Sequence, residues 1–309
     1  MGPTDLLFKR KELRYIVMLN LRTRVISALA VTTVATGFAQ YQQAGAQAKG
    51  ADKSALSGEL IKTGLYLISG AGGNTLLRLS ANGLILVDGK LPGNYQALIV
   101  FLKKISDQPI RVLINTDYHE DHTGNNASFL EAGAQILAQE NVRNKLNASS
   151  PPGGKAGLPT KTYDRDFSFQ LGGIEVQVMH FANAHTNGDS VVYFPNLKVI
   201  AVGDLYTATP NPDYAAGGSL VGWGPVLTEI LKLDFDVVVP GTGPTVTRAD
   251  LQALKKKIET MVARGKSLAK SGVPKDRIMA QLPTSDLGFR MNFTPNQLER
   301  FYAEVSDTK

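Results

Sequence analysis

The chain contains no cysteine among its 309 residues, and this absence excludes several kinds of site. A disulfide framework, a zinc finger built on thiolates and a cysteine nucleophile all require that residue. The sequence also lacks the Gly-x-Ser-x-Gly segment that presents a nucleophilic serine, and the complete phosphate-binding segment Gly-x-x-x-x-Gly-Lys-Ser/Thr. Any metal ion must therefore be held by nitrogen and oxygen ligands.

Excess positive charge is missing from most of the chain, although the formal net charge is +6. Residues 1–50 hold seven of the 33 basic residues and two of the 27 acidic ones, so the rest of the chain carries a net charge of only +1. Proteins that bind nucleic acid usually concentrate basic residues on one face. The near-neutral body therefore predicts no nucleic-acid partner.

The first 55 residues have the pattern of an export signal. Basic residues precede an uncharged stretch at 25–39, and the small residues Ala44-Gly45-Ala46 follow it. This apolar stretch is shorter than the roughly 20 residues of a membrane-spanning helix. We expect residues 1–55 to be a leader, the protein to be periplasmic or secreted, and no stable membrane association unless the leader stays uncleaved. A true start at Met18, an uncleaved anchor and a disordered tail are the alternatives.

The remaining residues, 56–309, are predicted to form one α/β domain. Short apolar runs with Gly and Asn turns indicate strands between residues 65 and 114, at 135–138, between 167 and 202, and at 237–239. Helical periodicity follows each set of strands. We therefore expect an αββα (αβ/βα) sandwich, with two mixed β-sheets packed together and helices on the outer faces.

Histidine is scarce, and two of the chain's four histidines lie in one short segment, residues 115–125. The segment reads Asn-Thr-Asp-Tyr-His-Glu-Asp-His-Thr-Gly-Asn and directly follows the predicted strand at 110–114. Imidazole nitrogen and carboxylate oxygen both suit zinc. A polar turn would explain any one of these residues, but the density of the cluster indicates a metal site at a strand end.

Three further segments each follow a predicted strand. They contain His185 in Ala-His-Thr-Asn-Gly-Asp, Asp204 after an apolar run, and Thr242 in Pro-Gly-Thr-Gly-Pro. Loops at strand ends are where rigid scaffolds present reactive groups. We expect these side chains to converge with segment 115–125 on one rim of the fold.

Taken together, the four segments resemble the signature of the metallo-β-lactamase superfamily of hydrolases. That signature is His-x-His-x-Asp-His, a His in His-Thr-x-Gly-Asp, a bridging Asp and a last His in Pro-Gly-His-Gly. The successive gaps are 63 residues from His122 to His185, 19 from His185 to Asp204 and 38 from Asp204 to Thr242, which is typical of the family. The resemblance covers about residues 60–247 and implies the αββα fold and a zinc-dependent hydrolase.

The resemblance also implies which residues bind metal. The implied ligands are Asp117, His119, Asp121, His122, His185 and Asp204. A first ion is implied to use Asp117, His119 and His185, and a second to use Asp121 and His122, with Asp204 bridging both. Asp121 is also the candidate catalytic residue that orients or deprotonates the attacking water, although it is equally a candidate ligand.

Two ligand positions depart from the family pattern. Asp117 stands in place of the first His, and Thr242 stands in place of the last. Carboxylate oxygen binds zinc at about the distance of imidazole nitrogen, roughly 2.0–2.2 Å, whereas a neutral hydroxyl is a poor ligand. We therefore expect one tightly held zinc and a second that is weak or absent.

His180 and Asp189 are expected to support the site from outside the ligand set. His180 shares a strand face with Val176 and Val178, which indicates a buried structural role. Asp189 is expected to hydrogen-bond the loop that carries His185.

The sequence thus predicts a zinc-dependent hydrolase with a small-molecule substrate. The bond cleaved is a carbonyl ester, thioester, lactone or β-lactam, and zinc activates the water. The two substituted ligand positions support an alternative, a degenerate, non-catalytic periplasmic member that binds a metal or a small ligand.

Overall fold

The computed structural model describes residues 55–149, 154–289 and 291–307. The strands are β1 (Ser57–Lys62), β2 (Leu65–Ser69), β3 (Thr75–Ser80), β4 (Gly83–Val87), β5 (Ile110–Ile114), β6 (Gln135–Gln139), β7 (Lys161–Tyr163), β8 (Asp166–Leu171), β9 (Ile174–Met179), β10 (Val191–Phe194), β11 (Val199–Gly203), β12 (Val237–Pro240) and β13 (Val246–Thr247). The helices are α1 (Tyr95–Leu102), α2 (Glu120–Thr123), α3 (Asn126–Glu131), α4 (Glu140–Ser149), α5 (Leu220–Ile230), α6 (Arg248–Lys270), α7 (Lys275–Gln281) and α8 (Pro295–Ser306). The predicted leader, up to residue 54, lies outside the described residues.

The strands form two mixed sheets. The first has the order β1-β2-β3-β4-β5-β6-β7, and the second has the order β13-β12-β11-β10-β9-β8. In the first sheet β1 to β4 are antiparallel and β4 to β7 are parallel. In the second sheet β11 and β12 are parallel, and the other pairs are antiparallel.

Apolar side chains on both faces of each sheet produce three buried layers. In β2, Leu67 packs between the two sheets, whereas its neighbour Ile68 packs against α1 and α3. In β11, Ala201 faces the first sheet and Ile200 faces α5, α6 and α8. This alternation follows from the two-residue period of a strand. The predicted αββα sandwich is confirmed.

The strands that the sequence pattern did not indicate are β1, β7 and β13, at the edges of the sheets. β1 has the sequence Ser-Gly-Glu-Leu-Ile-Lys and is largely exposed, and β7 and β13 have three and two residues. Edge strands are held by backbone pairing on one side, so they need no alternation of apolar residues. Among the described residues, no helix is long and apolar enough to cross a membrane.

The carboxyl ends of the parallel strands of both sheets meet at one rim. Backbone hydrogen bonds join the sheets there: Ser190 N donates to Thr116 O at 2.7 Å, and Asn74 N donates to Gly241 O at 2.6 Å. The loops that follow β5 and β12 are therefore fixed relative to each other, and both carry predicted site residues.

Candidate metal centre

The base of the site is built where β4 and β5 end. Asp88 follows β4 with a positive φ of 63°, a conformation that costs a residue other than glycine about 1–3 kcal/mol. Its carboxylate accepts hydrogen bonds from Thr116 N at 2.8 Å and Thr116 Oγ1 at 2.7 Å. The same carboxylate lies 2.9 Å from His122 Nδ1. The strained backbone thus turns Asp88 towards the histidine that it holds.

His122 is fully buried and presents its second nitrogen to three carboxylates. Its Nε2 lies 3.8 Å from Asp117 Oδ2, 3.6 Å from Asp121 Oδ2 and 3.7 Å from Asp204 Oδ1. This nitrogen has no hydrogen-bond partner among the described residues. Burial would lower the pKa of His122, but the surrounding carboxylates, Asp117 first, outweigh it and hold the pKa well above its usual range.

Asp117 lies at the centre of the cluster, with its side chain 2% exposed. Its Oδ1 accepts a hydrogen bond from His119 N at 2.7 Å. Its Oδ2 has no hydrogen-bond partner among the described residues, and lies 3.6 Å from His185 Nε2. Burial would raise the pKa of this carboxyl, but the neighbouring imidazoles, His122 first, lower it. Asp117 is therefore ionised and available as a ligand.

One loop, residues 204–219, holds the two histidines at the opening of the site. His119 Nε2 lies 3.4 Å from Asp213 Oδ2, and His185 Nδ1 donates to Asn211 O at 3.1 Å. Their other nitrogens face each other, with 3.3 Å between His119 Nδ1 and His185 Nε2. The loop therefore fixes which nitrogen of each ring points into the site.

Asp213 changes the pKa values of its neighbours. Burial would lower the pKa of His119, but the hydrogen bonds to Asp117 and Asp213 raise it to about 10. The hydrogen bond from His119 is the largest influence on Asp213 and lowers its pKa. The Tyr118 hydroxyl also donates to Asp213, and burial together with this bond raises the pKa of Tyr118. Without a metal, His119 is therefore protonated at neutral pH.

The ligand atoms form two groups that share one residue. We call Asp117, His119 and His185 the outer group, and Asp117, His122 and Asp204 the inner group. Within each group, one ligand atom of each residue lies within 4.8 Å of the others.

The donor atoms of both groups fit a divalent ion. Each imidazole has one nitrogen against an acceptor outside the centre, and turns the other nitrogen inward, as metal-binding histidines do. Two of the inward atoms, Asp117 Oδ2 and His122 Nε2, are buried without a hydrogen-bond partner. Imidazole nitrogen and carboxylate oxygen are ligands that zinc prefers.

The structure separates Asp121 and Thr242 from these groups. Asp121 belongs to neither; its side chain is 26% exposed and contacts the centre through His122. Thr242 is exposed, and its hydroxyl is neutral. Its neighbour Gly241 lies closer, since a Cβ on Gly241 would be 2.2 Å from Asp204 Oδ1. The loop after β12 therefore approaches the centre with a glycine backbone.

Asp189 and His180 lie behind the loop that carries His185. Asp189 accepts hydrogen bonds from Thr186 N at 2.9 Å and Thr186 Oγ1 at 2.6 Å, and burial raises its pKa to about 7. His180 is half-buried and donates from Nδ1 to Asp189 O at 2.8 Å. Both residues shape this loop, and neither belongs to a ligand group.

Four residues that hold the histidines had not been selected from the sequence. They are Asp88, Thr116, Asn211 and Asp213. Asp88 had a usable signal, because it is a carboxylate that ends a fully buried apolar strand. Asn211 and Asp213 lie in an irregular loop with no motif, so no local pattern indicates them.

Comparison with known proteins finds relatives of about half of the chain. The α subunit of 2,4-dinitroanisole O-demethylase from Nocardioides sp. (strain JS1661) is 27% identical over 146 residues, which is 47% of this chain and 44% of that protein. Metallo-beta-lactamase IND-1 from Chryseobacterium indologenes is 25% identical over 176 residues, covering 54% of this chain and 70% of the relative. The chain therefore spans less than half the length of the demethylase subunit.

Fold similarity covers about two thirds of the chain. The solved structure of a metallo-beta-lactamase from Pontibacter korlensis has a TM-score of 0.59 and 22% identity, and the match covers 66% of this chain and 99% of that one. The family model of the metallo-beta-lactamase superfamily matches residues 71–242, which include every residue of the outer and inner groups. The chain belongs to the metallo-β-lactamase superfamily.

Proposed function

We propose that the chain is a zinc-dependent hydrolase that cleaves a carbonyl ester, thioester, lactone or β-lactam bond in a small molecule. The observation that carries this proposal is the pair of buried, unpartnered atoms Asp117 Oδ2 and His122 Nε2. A buried polar group without a partner costs about 1–3 kcal/mol, and more when it is charged. A bound cation between these atoms would remove that cost.

The relatives support the hydrolase class more than any one substrate. Their names include a metallo-beta-lactamase and an O-demethylase subunit, whose substrates differ, and one scaffold can carry many chemistries. The proposed bond type therefore rests on the metal centre, which suits attack of water on a polarised carbonyl.

The ligands and Asp121 have separate roles in this proposal. The outer and inner groups would hold zinc, which lowers the pKa of water and polarises a carbonyl. Asp121 Oδ2 would orient the attacking water and accept its proton, because this partly exposed carboxylate lies next to His122 but outside both ligand groups. The substrate would approach over His119, whose side chain is 30% exposed.

The test is hydrolysis by metal-free and zinc-loaded protein of a panel that contains nitrocefin, a lactone, a thioester and a simple ester. We expect at least one substrate to be hydrolysed by the zinc-loaded protein and none by the metal-free protein. His185→Ala should abolish this activity. Turnover that is unchanged by removal of the metal would contradict the proposal.

A second candidate is a non-catalytic member that binds a metal or a small ligand. It is favoured by the two substituted ligand positions, Asp117 and Thr242. Stoichiometric zinc binding, together with no turnover of any substrate in the panel, would support this candidate over the hydrolase.

The export-like pattern of residues 1–55 leads us to propose a periplasmic or secreted protein that has no nucleic-acid partner. N-terminal sequencing of the mature protein from the periplasmic or extracellular fraction tests this location. Recovery of the uncleaved chain from the cytoplasmic fraction would contradict it, and recovery from membranes would indicate an anchor.

A further inference from the structure

Asp117 lies between the outer and inner groups. Its Oδ1 is occupied by the hydrogen bond from His119 N. Its Oδ2 faces one imidazole of each group, at 3.6 Å from His185 Nε2 and 3.8 Å from His122 Nε2. A single buried oxygen therefore adjoins both groups.

Asp204 spans the same two histidines with two oxygens. Its Oδ1 is 3.7 Å from His122 Nε2, and its Oδ2 is 3.6 Å from His185 Nε2. Two carboxylates, Asp117 and Asp204, thus connect the inner histidine to the outer one.

These nitrogen–oxygen distances fit two ligands of one metal ion better than they fit a direct hydrogen bond. At 3.6–3.8 Å the atoms are too far apart for a hydrogen bond. Two ligand atoms that each lie about 2.0–2.2 Å from a common zinc in a tetrahedral arrangement are roughly 3.3–3.6 Å apart. The observed spacing is close to that of atoms with an ion between them.

The charge at the centre favours two ions over one. Asp88, Asp117, Asp121 and Asp204 bring four negative charges when all are ionised, since Asp88 lies against His122, and the imidazoles are neutral when they bind metal. One divalent ion would leave two negative charges unbalanced around a carboxylate that is 2% exposed. Two divalent ions would balance all four. An uncompensated buried charge is strongly destabilising.

We propose that Asp117 is a shared ligand of two divalent ions, one in the outer group and one in the inner group. Its carboxylate supplies the inner ion with a ligand stronger than the neutral hydroxyl of the exposed Thr242. The proposal rests on the proposed function only in that both require bound metal. It replaces the expectation of one tightly held zinc with a pair of ions that Asp117 and Asp204 bridge.

The first test uses Co²⁺, which accepts nitrogen and oxygen ligands and gives an electron paramagnetic resonance signal. Metal-free wild-type chain is saturated with Co²⁺, and the bound metal is counted by elemental analysis. We expect two ions per chain and a spin-coupled spectrum. One ion at saturation, or two uncoupled ions, overturns the shared ligand and leaves the proposed hydrolase standing. No bound Co²⁺ overturns both proposals.

The second test compares Asp117→Asn with Asp213→Asn. Both variants neutralise an aspartate that contacts His119, but Asp213 touches only the outer group. If Asp117 is shared, Asp117→Asn lowers both Co²⁺ association constants at least tenfold, whereas Asp213→Asn lowers one. A change in only one constant for Asp117→Asn overturns the proposal. If Asp117→Asn does not fold by circular dichroism, a crystal structure of the zinc-loaded wild-type chain decides: an Asp117 oxygen within about 2.2 Å of both ions supports the shared ligand, and contact with only one ion overturns it.

Discussion

The outer and inner groups use the same chemical types of ligand but are supported in different ways. His122 in the inner group is fully buried, and it is held by Asp88 at the end of a strand. The histidines of the outer group are partly exposed and are held by one irregular loop, through Asn211 and Asp213. The contact that holds His122 is therefore part of the sheet that builds the fold. The contacts that hold the outer histidines lie in a loop, which can change without loss of the fold.

The largest effect that this comparison predicts is for Asp88→Ala. The change removes the carboxylate that accepts bonds from Thr116 and lies against His122. Breaking a buried ionic contact from one side costs about 3–5 kcal/mol, so we expect the free energy of unfolding in urea to fall by that amount. The exposed Asp107→Ala is the control and should change it by less than about 0.5 kcal/mol. A loss below about 1 kcal/mol for Asp88→Ala would show that the contacts of Asp88 with Thr116 and His122 do not stabilise the fold.

The next effect concerns the outer group and leaves the fold intact. We expect Asp213→Asn to weaken zinc binding at the outer group by about 10–100-fold, because His119 loses the carboxylate that orients it. A competition titration with a zinc chelator measures this, and the free energy of unfolding of the metal-free protein in urea should fall by less than in Asp88→Ala, because Asn can still accept the hydrogen bonds from Ala215 N and Ala216 N. The exposed Asp164→Asn serves as the matched control. Equal zinc binding in both variants would show that the loop does not position His119.

Protonation of His119 gives a pH dependence with opposite signs for binding and stability. Its pKa is about 10 in the folded, metal-free protein, against an ordinary value of 6.5 for histidine. Its contribution to stability is complete below pH 6.5 and is lost as the pH rises through 10. Over the same range, zinc must displace this proton, so the apparent affinity rises about tenfold per pH unit.

Titrations of the wild-type chain and of His119→Asn between pH 7 and 10 test this dependence. The variant should lose the part of the pH dependence that His119 causes, both in zinc affinity and in metal-free stability. If zinc affinity and metal-free stability depend on pH with the same slopes in both proteins, the proton that zinc displaces belongs to a group other than His119.

The smallest effect is predicted for Glu304→Gln, far from the centre in sequence. Glu304 on α8 accepts hydrogen bonds from the Tyr214 hydroxyl at 3.1 Å and from Leu220 N at 3.2 Å. It therefore fastens the loop that holds the outer histidines. We expect a loss of about 1 kcal/mol in unfolding free energy and a slight weakening of outer zinc binding only. Glu59→Gln, at an exposed position on β1, is the control, and a larger effect on the inner ion than on the outer one would contradict the difference between the two groups.

Sequence reasoning could select the candidate ligands because they follow strands, and strands have a recognisable period. Segment 115–125 follows β5, and Asp204 follows β11, so both could be assigned to one rim. The same reasoning could not predict that Asn211 and Asp213 hold the outer histidines, because Asp213 meets His119 only through the tertiary packing of an irregular loop. The shared position of Asp117 also escaped it, since the family pattern assigns that residue to one ion, whereas the folded chain places its free oxygen between two histidines.

The most direct test of a shared, carboxylate-rich metal centre is a crystal structure of the zinc-loaded chain with anomalous diffraction measured at the zinc edge. We predict two peaks about 3.5–4 Å apart, the usual separation in two-metal sites. Each peak should lie about 2.0–2.2 Å from an oxygen of Asp117. A single peak, or two peaks of which only one contacts Asp117, would contradict the account.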